Sequence, residues 1–497
     1  MPNNKKVFQL LMGVVLSILN FGHVFAAEYY EPLSLIQAVD IGLVNNTEKT
    51  ISYQAFAIAE SQYQEALSAR WPTVSMQGSY QHRDEPPNFV FPSSSIPLGG
   101  LAGALQTVAF STAQQQALGM GATVSQAAQA GAAASAQIPS NITVPQQNVK
   151  LFNQNTTIAS IQLMYPLYTG GKISSLISQA GFGKAIANEE MRRSSMQVVR
   201  DVKRFYYAAQ LTQRLTETAH DTLGLLEVTR DLTKTLYEGG SNNINKLDYL
   251  KTQMAVSYAK SVEADFSAKH KSALAALVNA MGLSWDAKIK PVDDMNIKVA
   301  ANPELEALVR QASEFNPQLG QLKLAVKAAN AKIGEAYSGH LPQVAITADA
   351  TRIYNAYDAG LTSDVNKNSW TIGIGVSMPL FDGWRTSSQV NTIKLQYAQM
   401  QEKQKLVEQG IAALVKNLFI EFDSAREQVA ISEQARKISE ENRDLTSRAF
   451  QIGASKPQDV IEANILYAIV QGNLLRSQHD QLLKLAEIDY VLGAEAE

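Results

Sequence analysis

The 497-residue sequence contains no cysteine. This excludes disulfides, lipid attachment to cysteine, and thiolates as nucleophiles or metal ligands. Basic residues are not in excess, because 43 Lys and Arg stand against 46 Asp and Glu, so we expect no nucleic-acid partner. The six histidines are scattered, and neither an HExxH motif nor a P-loop is present. We therefore expect no enzymatic activity, no cofactor and no metal site.

Long hydrophobic runs are absent after the N-terminal segment, and no later stretch reaches the roughly 18 apolar residues that a transmembrane helix needs. The N-terminal segment has Lys5 and Lys6, an apolar run and then the small residues Ala26 and Ala27. This order is typical of a secretory signal peptide. We predict a signal peptide over residues 1–26 and export across the inner membrane, with cleavage after Ala27 or a transmembrane anchor as the alternatives.

The remaining chain is internally duplicated. A shift of 270 residues superimposes Asn46 on Asn316 and Pro72 on Pro342, whereas a shift of 213 superimposes Pro166 on Pro379 and Gly240 on Gly453. The change of offset indicates an insertion of about 57 residues in the first copy. We predict a first repeat at 27–283, an equatorial linker at 284–303 and a second repeat at 304–497.

Each repeat has two segments in which apolar and small or polar residues alternate. We predict strands at about 72–84, 156–167, 342–354 and 368–381, with Pro72 and Pro342 opening one strand each and Pro166 and Pro379 closing the others. Strands of about ten residues with one apolar side are typical of transmembrane β-barrels, although a soluble sandwich shows the same alternation. The aromatic residues favour the membrane, because they cluster at the strand ends as interfacial residues do. They are Trp71, Tyr80, Tyr165, Tyr168, Tyr354, Trp370, Phe381 and Trp384.

Four strands cannot close a barrel, and lipid does not tolerate open sheet edges. The chain must therefore oligomerise. Two copies would provide eight strands with a filled interior, and three would provide twelve with room for a lumen.

Two very long helices are predicted at 172–237 and 385–450, each about 100 Å long at 1.5 Å per residue. Gly240 and Gly453 end them, and a return helix follows each turn. Two interleaved heptad seams in the first long helix indicate neighbours on both flanks, as in a closed wall of helices. An ordinary long coiled coil is the alternative.

The strand-to-helix segments Tyr165-Pro-Leu-Tyr-Thr-Gly-Gly171 and Met378-Pro-Leu-Phe-Asp-Gly-Trp384 resemble the repeated signature of TolC-like outer-membrane efflux proteins. The junction residues are Pro72, Pro166, Gly170, Gly171, Pro342, Pro379 and Gly383. The resemblance implies an α+β membrane protein whose homotrimer forms a twelve-stranded β-barrel and an α-barrel of long helical hairpins. It also implies a passive duct in outer-membrane lipid, extending into the periplasm. Its partners would be a periplasmic adaptor (membrane fusion) protein and an inner-membrane efflux or ABC-type pump, for efflux or type I secretion.

The same resemblance places a periplasmic gate at the two helix-turn-helix tips. The candidates in the second tip are Phe450, Lys456, Asp459 and Glu462, and Ser455 occupies the position of a gate arginine. Asp459 and Glu462 lie three residues apart, so three chains would direct six carboxylates towards one axis as a cation filter. Lys246 stands where the first repeat usually has an aspartate, and we hypothesise a bond between Lys246 and Asp459. The alternative is that all of these residues are solvated charges of the turns.

The insertion covers residues 85–150 and is rich in Ala, Gln, Gly and Ser. Its composition predicts a disordered extracellular cap, with partial occlusion of the mouth or surface adhesion as alternatives. The functional alternative for the whole chain is a structural trimeric coiled-coil surface protein.

Overall fold

The computed structural model describes residues 30–85, 88–91, 99–136, 147–150, 154–241, 243–293, 295, 304–355 and 367–493. The predicted signal peptide lies outside these residues. The helices are α1 (Leu35–Asn45), α2 (Thr47–Ser68), α3 (Gly99–Gly119), α4 (Val124–Ser135), α5 (Lys172–Glu238), α6 (Lys246–Ala280), α7 (Leu305–Phe315), α8 (Pro317–Tyr337), α9 (Arg385–Gln451) and α10 (Pro457–Leu492). The strands are β1 (Tyr30–Leu33), β2 (Thr73–His82), β3 (Asn88–Phe91), β4 (Gln147–Lys150), β5 (Asn155–Tyr168), β6 (Ile289–Pro291), β7 (Gln343–Asn355) and β8 (Asn368–Ser377).

The chain divides into two units. The helical unit comprises Met1–Ser68, Gly171–Gly339 and Phe381–Glu497, and the sheet unit comprises Ala69–Gly170 and His340–Leu380. Both predicted long helices are present, as α5 and α9, with 67 residues each. Among the described residues, no helix combines the length and the apolar content needed to cross a bilayer.

In each repeat of the helical unit, one asparagine joins the start of a short helix to the end of the return helix. Asn46 and Asn316, which the duplication pairs, cap α2 and α8 by accepting from the backbone of Glu48 and Leu319. Their side-chain amides donate to the last turns of the return helices, Asn46 to the carbonyl of Ala280 and Asn316 to that of Val491, both at 2.8 Å. Each asparagine therefore satisfies one helix start and one helix end.

Glycines complete both of these helix connections. Gly282 and Gly493 follow the return helices with φ of 70° and 74°. A Cβ at Gly282 would lie 2.5 Å from the carbonyl oxygen of Asn45, and one at Gly493 would lie 2.2 Å from that of Phe315. Only glycine combines the left-handed conformation with this close approach.

The predicted linker contains ordered structure. Its strand β6 pairs with β1 in parallel. The buried hydroxyl of Tyr206 lies 2.9 Å from both the carbonyl oxygen of Leu33 and the carboxylate of Asp293, which share its one hydrogen, so the linker is held against α5. Burial raises the pKa of Tyr206 to about 12.

The sheet unit contains a four-stranded antiparallel sheet in the order β2-β5-β7-β8. Two boundaries differ from the prediction. Pro166 does not close a strand but lies inside β5, where the register with β7 shifts between Pro166 and Tyr168 and a bulge accommodates the missing N–H. β8 ends at Ser377 instead of extending to 381, because Pro379 cannot donate to the ladder.

The prediction of a disordered insertion is wrong for its described residues. Helices α3 and α4 form a hairpin, and β3 pairs with β4. Alanine and glutamine are good helix formers, so a composition that resembles low complexity also suits helices once they have a surface to pack on.

Candidate functional site at the junctions and helix tips

The two strand-to-helix junctions share one backbone conformation. Gly170 and Gly171 have φ of 62° and 84°, and Gly383 and Trp384 have 67° and 61°. Three of these four left-handed positions are glycine, as this conformation favours. Of the other predicted junction residues, Pro72 and Pro342 lie directly before β2 and β7 and Pro379 lies just after β8, whereas Pro166 lies inside β5.

Trp384 is the exception, because a side chain in the left-handed region costs about 1–2 kcal/mol. Neighbouring residues hold it in place. The carboxylate of Asp382 accepts from the backbone N–H of Thr386 at 3.0 Å and also from its hydroxyl, which caps α9. The indole of Trp384 meets the ring of Phe381 edge to face, with centroids 5.2 Å apart.

The two tip turns are also built alike. Gly240 and Gly453 have φ of 74° and 79°. The residue after each glycine donates back to the helix, Ser241 to the carbonyl of Leu236 and Ala454 to that of Ala449. This is the Schellman pattern, in which a left-handed glycine ends a helix.

Phe450, a predicted gate residue, is only 4% exposed. It forms a cluster with Ile244 of the first tip and Val460 of α10, and Leu232 and Leu236 of α5 pack against this cluster. Phe450 therefore joins the two tips within one chain through apolar contacts.

The predicted acidic pair is exposed at the start of α10. The carboxylate of Asp459 accepts from the backbone N–H of Lys456 at 2.9 Å, and that of Glu462 accepts from the side-chain amide of Gln458 at 2.6 Å. Asp459 thus stabilises the helix start, where the helix dipole also favours negative charge. The side chain of Lys456 is exposed beside them.

Lys246 begins α6 and is exposed. Among the described residues of one chain, no ion pair joins it to Asp459. Its structural counterpart in the second tip is Pro457, the first residue of α10. The sequence comparison misplaced it because the first tip turn is two residues longer than the second.

The structural equivalent of Asp459 is Asp248, which sequence analysis missed. The carboxylate of Asp248 accepts from the backbone N–H of Asn245 at 3.1 Å, as Asp459 does from that of Lys456. The signal was the spacing Asn-x-x-Asp, a capping pattern before a helix. The tips therefore differ one turn later, where Lys251 in α6 occupies the position equivalent to that of Glu462 in α10.

Comparisons with known proteins show which family shares this sequence and architecture. The family model for outer membrane efflux proteins matches residues 113–283 and 308–494, one match in each repeat. Outer membrane protein TolC of Salmonella enteritidis is 23% identical over 194 residues, which cover 38% of this chain and 40% of that protein. The probable efflux pump outer membrane protein TtgC of Pseudomonas putida is 24% identical over 319 residues, which cover 63% and 62%. The aligned part of the chain thus spans less than two thirds of either relative.

Solved structures share the fold over nearly the whole chain. The structure of CusC matches with a TM-score of 0.70 and 14% identity, covering 95% of this chain and 96% of that one. The CmeC outer membrane channel of Campylobacter jejuni matches with a TM-score of 0.69 and 12% identity, covering 96% and 92%. With a family match in both repeats, the chain belongs to the outer membrane efflux protein family and is a protein of the outer membrane.

Proposed function

We propose that three copies of the chain form a passive export duct, with a twelve-stranded β-barrel in the outer membrane and a wall of helical hairpins in the periplasm. The duct receives its cargo from an inner-membrane pump through a periplasmic adaptor, in drug efflux or type I secretion. The similarity to TtgC, a probable efflux pump outer membrane protein, supports an efflux role for this chain.

The observation that carries the proposal is which side chains of the four-stranded sheet are exposed. Its apolar face is exposed and its polar face is partly buried, the reverse of a sheet in a water-soluble protein. Its apolar face is open, with exposed fractions of 76% at Trp370, 67% at Ile372 and 68% at Ile374. On the polar face, Ser160 and Thr351 are cross-strand partners and are only 3% and 7% exposed. An apolar band left open on a sheet suits contact with lipid.

The sheet edges support the trimer. Within the described sheet, β2 and β8 each have one neighbour. Open edges are not tolerated in lipid, so β8 of one copy pairs with β2 of the next. Three copies give twelve strands, enough for a lumen, whereas two give a barrel whose interior side chains fill it.

The helical unit has apolar stripes for the same neighbours. On α9 an exposed stripe recurs every seven residues, and another follows one face of α6. The α9 stripe is Ile431, Ile438 and Leu445, continued by Ile452 directly after the helix, and the α6 stripe is Leu247, Leu250, Met254 and Tyr258. We assign these stripes to contacts between copies, as the heptad spacing of the α9 stripe requires for helices that pack side by side.

The test is a matched pair of substitutions in β8. Ile372→Lys places a charge on the apolar face, and Thr371→Lys places the same charge on the polar face, opposite Asp349 in the register. Lysine facing lipid near the bilayer midplane costs about 2–4 kcal/mol per copy. We expect Ile372→Lys to abolish the heat-resistant trimer in outer-membrane extracts, and Thr371→Lys to leave the trimer intact.

Equal tolerance of the two substitutions would contradict the barrel. A wild-type trimer that stays in water without detergent and conducts no ions would instead favour the structural coiled-coil protein.

A further inference from the structure

The insertion between β2 and β5 contains a well-formed helical hairpin. Helix α3 ends at Gly119, and Gly121 follows with φ of 82° while Ala122 donates back to the carbonyl of Ala117. The backbone N–H of Thr123 donates to the side-chain oxygen of Gln126 at 3.0 Å, which caps α4. Both ends of the turn are thus satisfied by standard capping interactions.

The two helices of the hairpin pack tightly on each other. A Cβ at Gly131 of α4 would lie 2.7 Å from the ring of Phe110 in α3 and 2.9 Å from its carbonyl oxygen. Ala127, one turn earlier, is fully buried. Close approach through small residues holds this hairpin together without a large apolar core.

The hairpin lies on the polar face of the sheet. The side-chain amide of Gln162 in β5 donates to the carbonyl of Met120 in the hairpin turn at 3.1 Å. A Cβ at Gly375 in β8 would lie 3.8 Å from the amide nitrogen of Gln126. Alternation puts Gln162 and Gly375 on the same face as the buried Ser160 and opposite Ile374. The hairpin therefore covers the face that the proposed barrel turns towards its lumen.

The hairpin also reaches far along the strands. The insertion leaves the sheet at the pair His82–Asn155, and Gln162 is seven residues from that end, or about 23 Å at about 3.3 Å per residue. Helix α3 has 21 residues and a length of about 31 Å, which covers this distance. The turn of the hairpin is therefore its part farthest from that end of the sheet, and α4 then runs back towards that end for about 18 Å.

We propose that the α3–α4 hairpin is a plug that enters the barrel lumen from the extracellular end and obstructs most of it at rest. The proposal rests on the proposed barrel. Twelve strands about 4.8 Å apart and tilted by about 40° enclose a barrel about 24 Å across. Three hairpins bring six helices, and six helices about 10 Å wide have a combined cross-section about equal to that of the barrel, so inserted hairpins leave little open path.

The test uses the absence of native cysteine. In the full-length trimer, Gln126→Cys with Gly375→Cys creates a thiol pair on the lumen side, and Gln126→Cys with Ile374→Cys is the control with its strand thiol on the opposite face. A short bifunctional maleimide should join the first pair and not the second.

Conductance in planar bilayers tests the obstruction itself. Gly131→Leu forces α3 and α4 apart, and replacement of residues 99–136 by a Gly-Ser linker removes the plug without depending on how Gly131→Leu folds. We expect both to conduct at least about threefold more than wild type, because the inserted hairpins occupy most of the cross-section of the barrel. The crosslinked Gln126–Gly375 pair should stay at the low level.

The outcomes separate the plug from the barrel. Insertion and conductance at the wild-type level after the hairpin is removed would overturn the plug and leave the duct intact, as would equal crosslinking of the Ile374 control. Failure of wild type and variants alike to insert into membranes would overturn the barrel.

Discussion

Individual histidines of the helical unit have opposite electrostatic surroundings. Burial lowers the pKa of His479, which lies beside Asp480, and that of His270, whose ring contacts the carbonyl of Ala209 at 3.1 Å. The exposed His220 differs, because its hydrogen bond to Glu263 at 2.7 Å raises its pKa. Protonation near the ordinary pKa of 6.5 therefore opposes folding at two histidines and favours it at the third.

These shifts predict an acid sensitivity that two substitutions should reduce. His270 and His479 have folded-state pKa values below the unfolded value, so the stability they contribute is present above about pH 6.5 and is lost as the pH falls below it. We expect the melting temperature of wild type to fall from about pH 7.5 to about pH 5.5, and to fall less in His270→Gln with His479→Gln.

His220→Gln is the matched control, with the opposite sign. The raised pKa of His220 means that its contribution is complete below about pH 6.5 and is lost as the pH rises through the folded-state pKa. Its removal should lower the melting temperature at acidic pH and leave it unchanged at alkaline pH. A double variant that melts in parallel with wild type at every pH would contradict the assignment.

Single residues at the tips show where sequence analysis succeeds and where it fails. Gly240 and Gly453 were recognisable because few residues can end a helix in the left-handed conformation. Asp248 was missed because the two tip turns differ in length by two residues, so Lys246 was taken for the residue equivalent to Asp459. The burial of Phe450 depends on Ile244 and Leu236 from the other tip, and a repeat-by-repeat comparison contains no information on that contact.

At the scale of elements, both repeats depend on one asparagine that holds two helices. Asn46 and Asn316 each accept from a helix start and donate to a helix end. We expect Asn46→Ala and Asn316→Ala each to destabilise the helical unit by about 1–3 kcal/mol, because a cap and a buried carbonyl lose their partners together. Urea unfolding followed by circular dichroism measures the loss.

Aspartate at the same positions separates the two bonds. Asn46→Asp and Asn316→Asp keep the cap acceptor but cannot donate to the carbonyls of Ala280 and Val491. They should therefore destabilise the unit despite intact caps, and more at Asn316, whose amide is buried. Wild-type stability of both aspartate variants would show that the donated bond contributes nothing.

The elements also differ in how far their sequences specify them. Helices α5 and α9 were predicted with nearly their observed bounds, because both have a glycine stop and α5 also has heptad seams that agree with it. The hairpin α3–α4 was not predicted, because its alanine- and glutamine-rich sequence lacks a clear apolar period. What orders it is contact with Gln162 and Gly375 of strands distant in sequence, and no local pattern encodes such contacts.

At the scale of the whole molecule, duplication gives each copy two tips with equal caps and unequal charge one turn later. Asp248 and Asp459 occupy equivalent positions in the two repeats, but the position equivalent to Glu462 is occupied by Lys251. In a trimer the second tips would carry six carboxylates, with Lys456 beside each pair.

The predicted filter is tested by charge removal that preserves the helix start. Asp459→Asn with Glu462→Gln keeps oxygen acceptors for the N–H of Lys456 and the amide of Gln458. In a trimer it removes all six carboxylate charges of the second tips. We expect the concentration of a trivalent cation that half-blocks conductance to rise at least about tenfold, because block by such an ion depends on the ring charge. Glu402→Gln, at an exposed acid on α9, is the control and should not change block. Unchanged block in the double variant would mean that Lys246, Lys251 and Lys456 neutralise the ring, and the gate would then be held by the apolar cluster around Phe450.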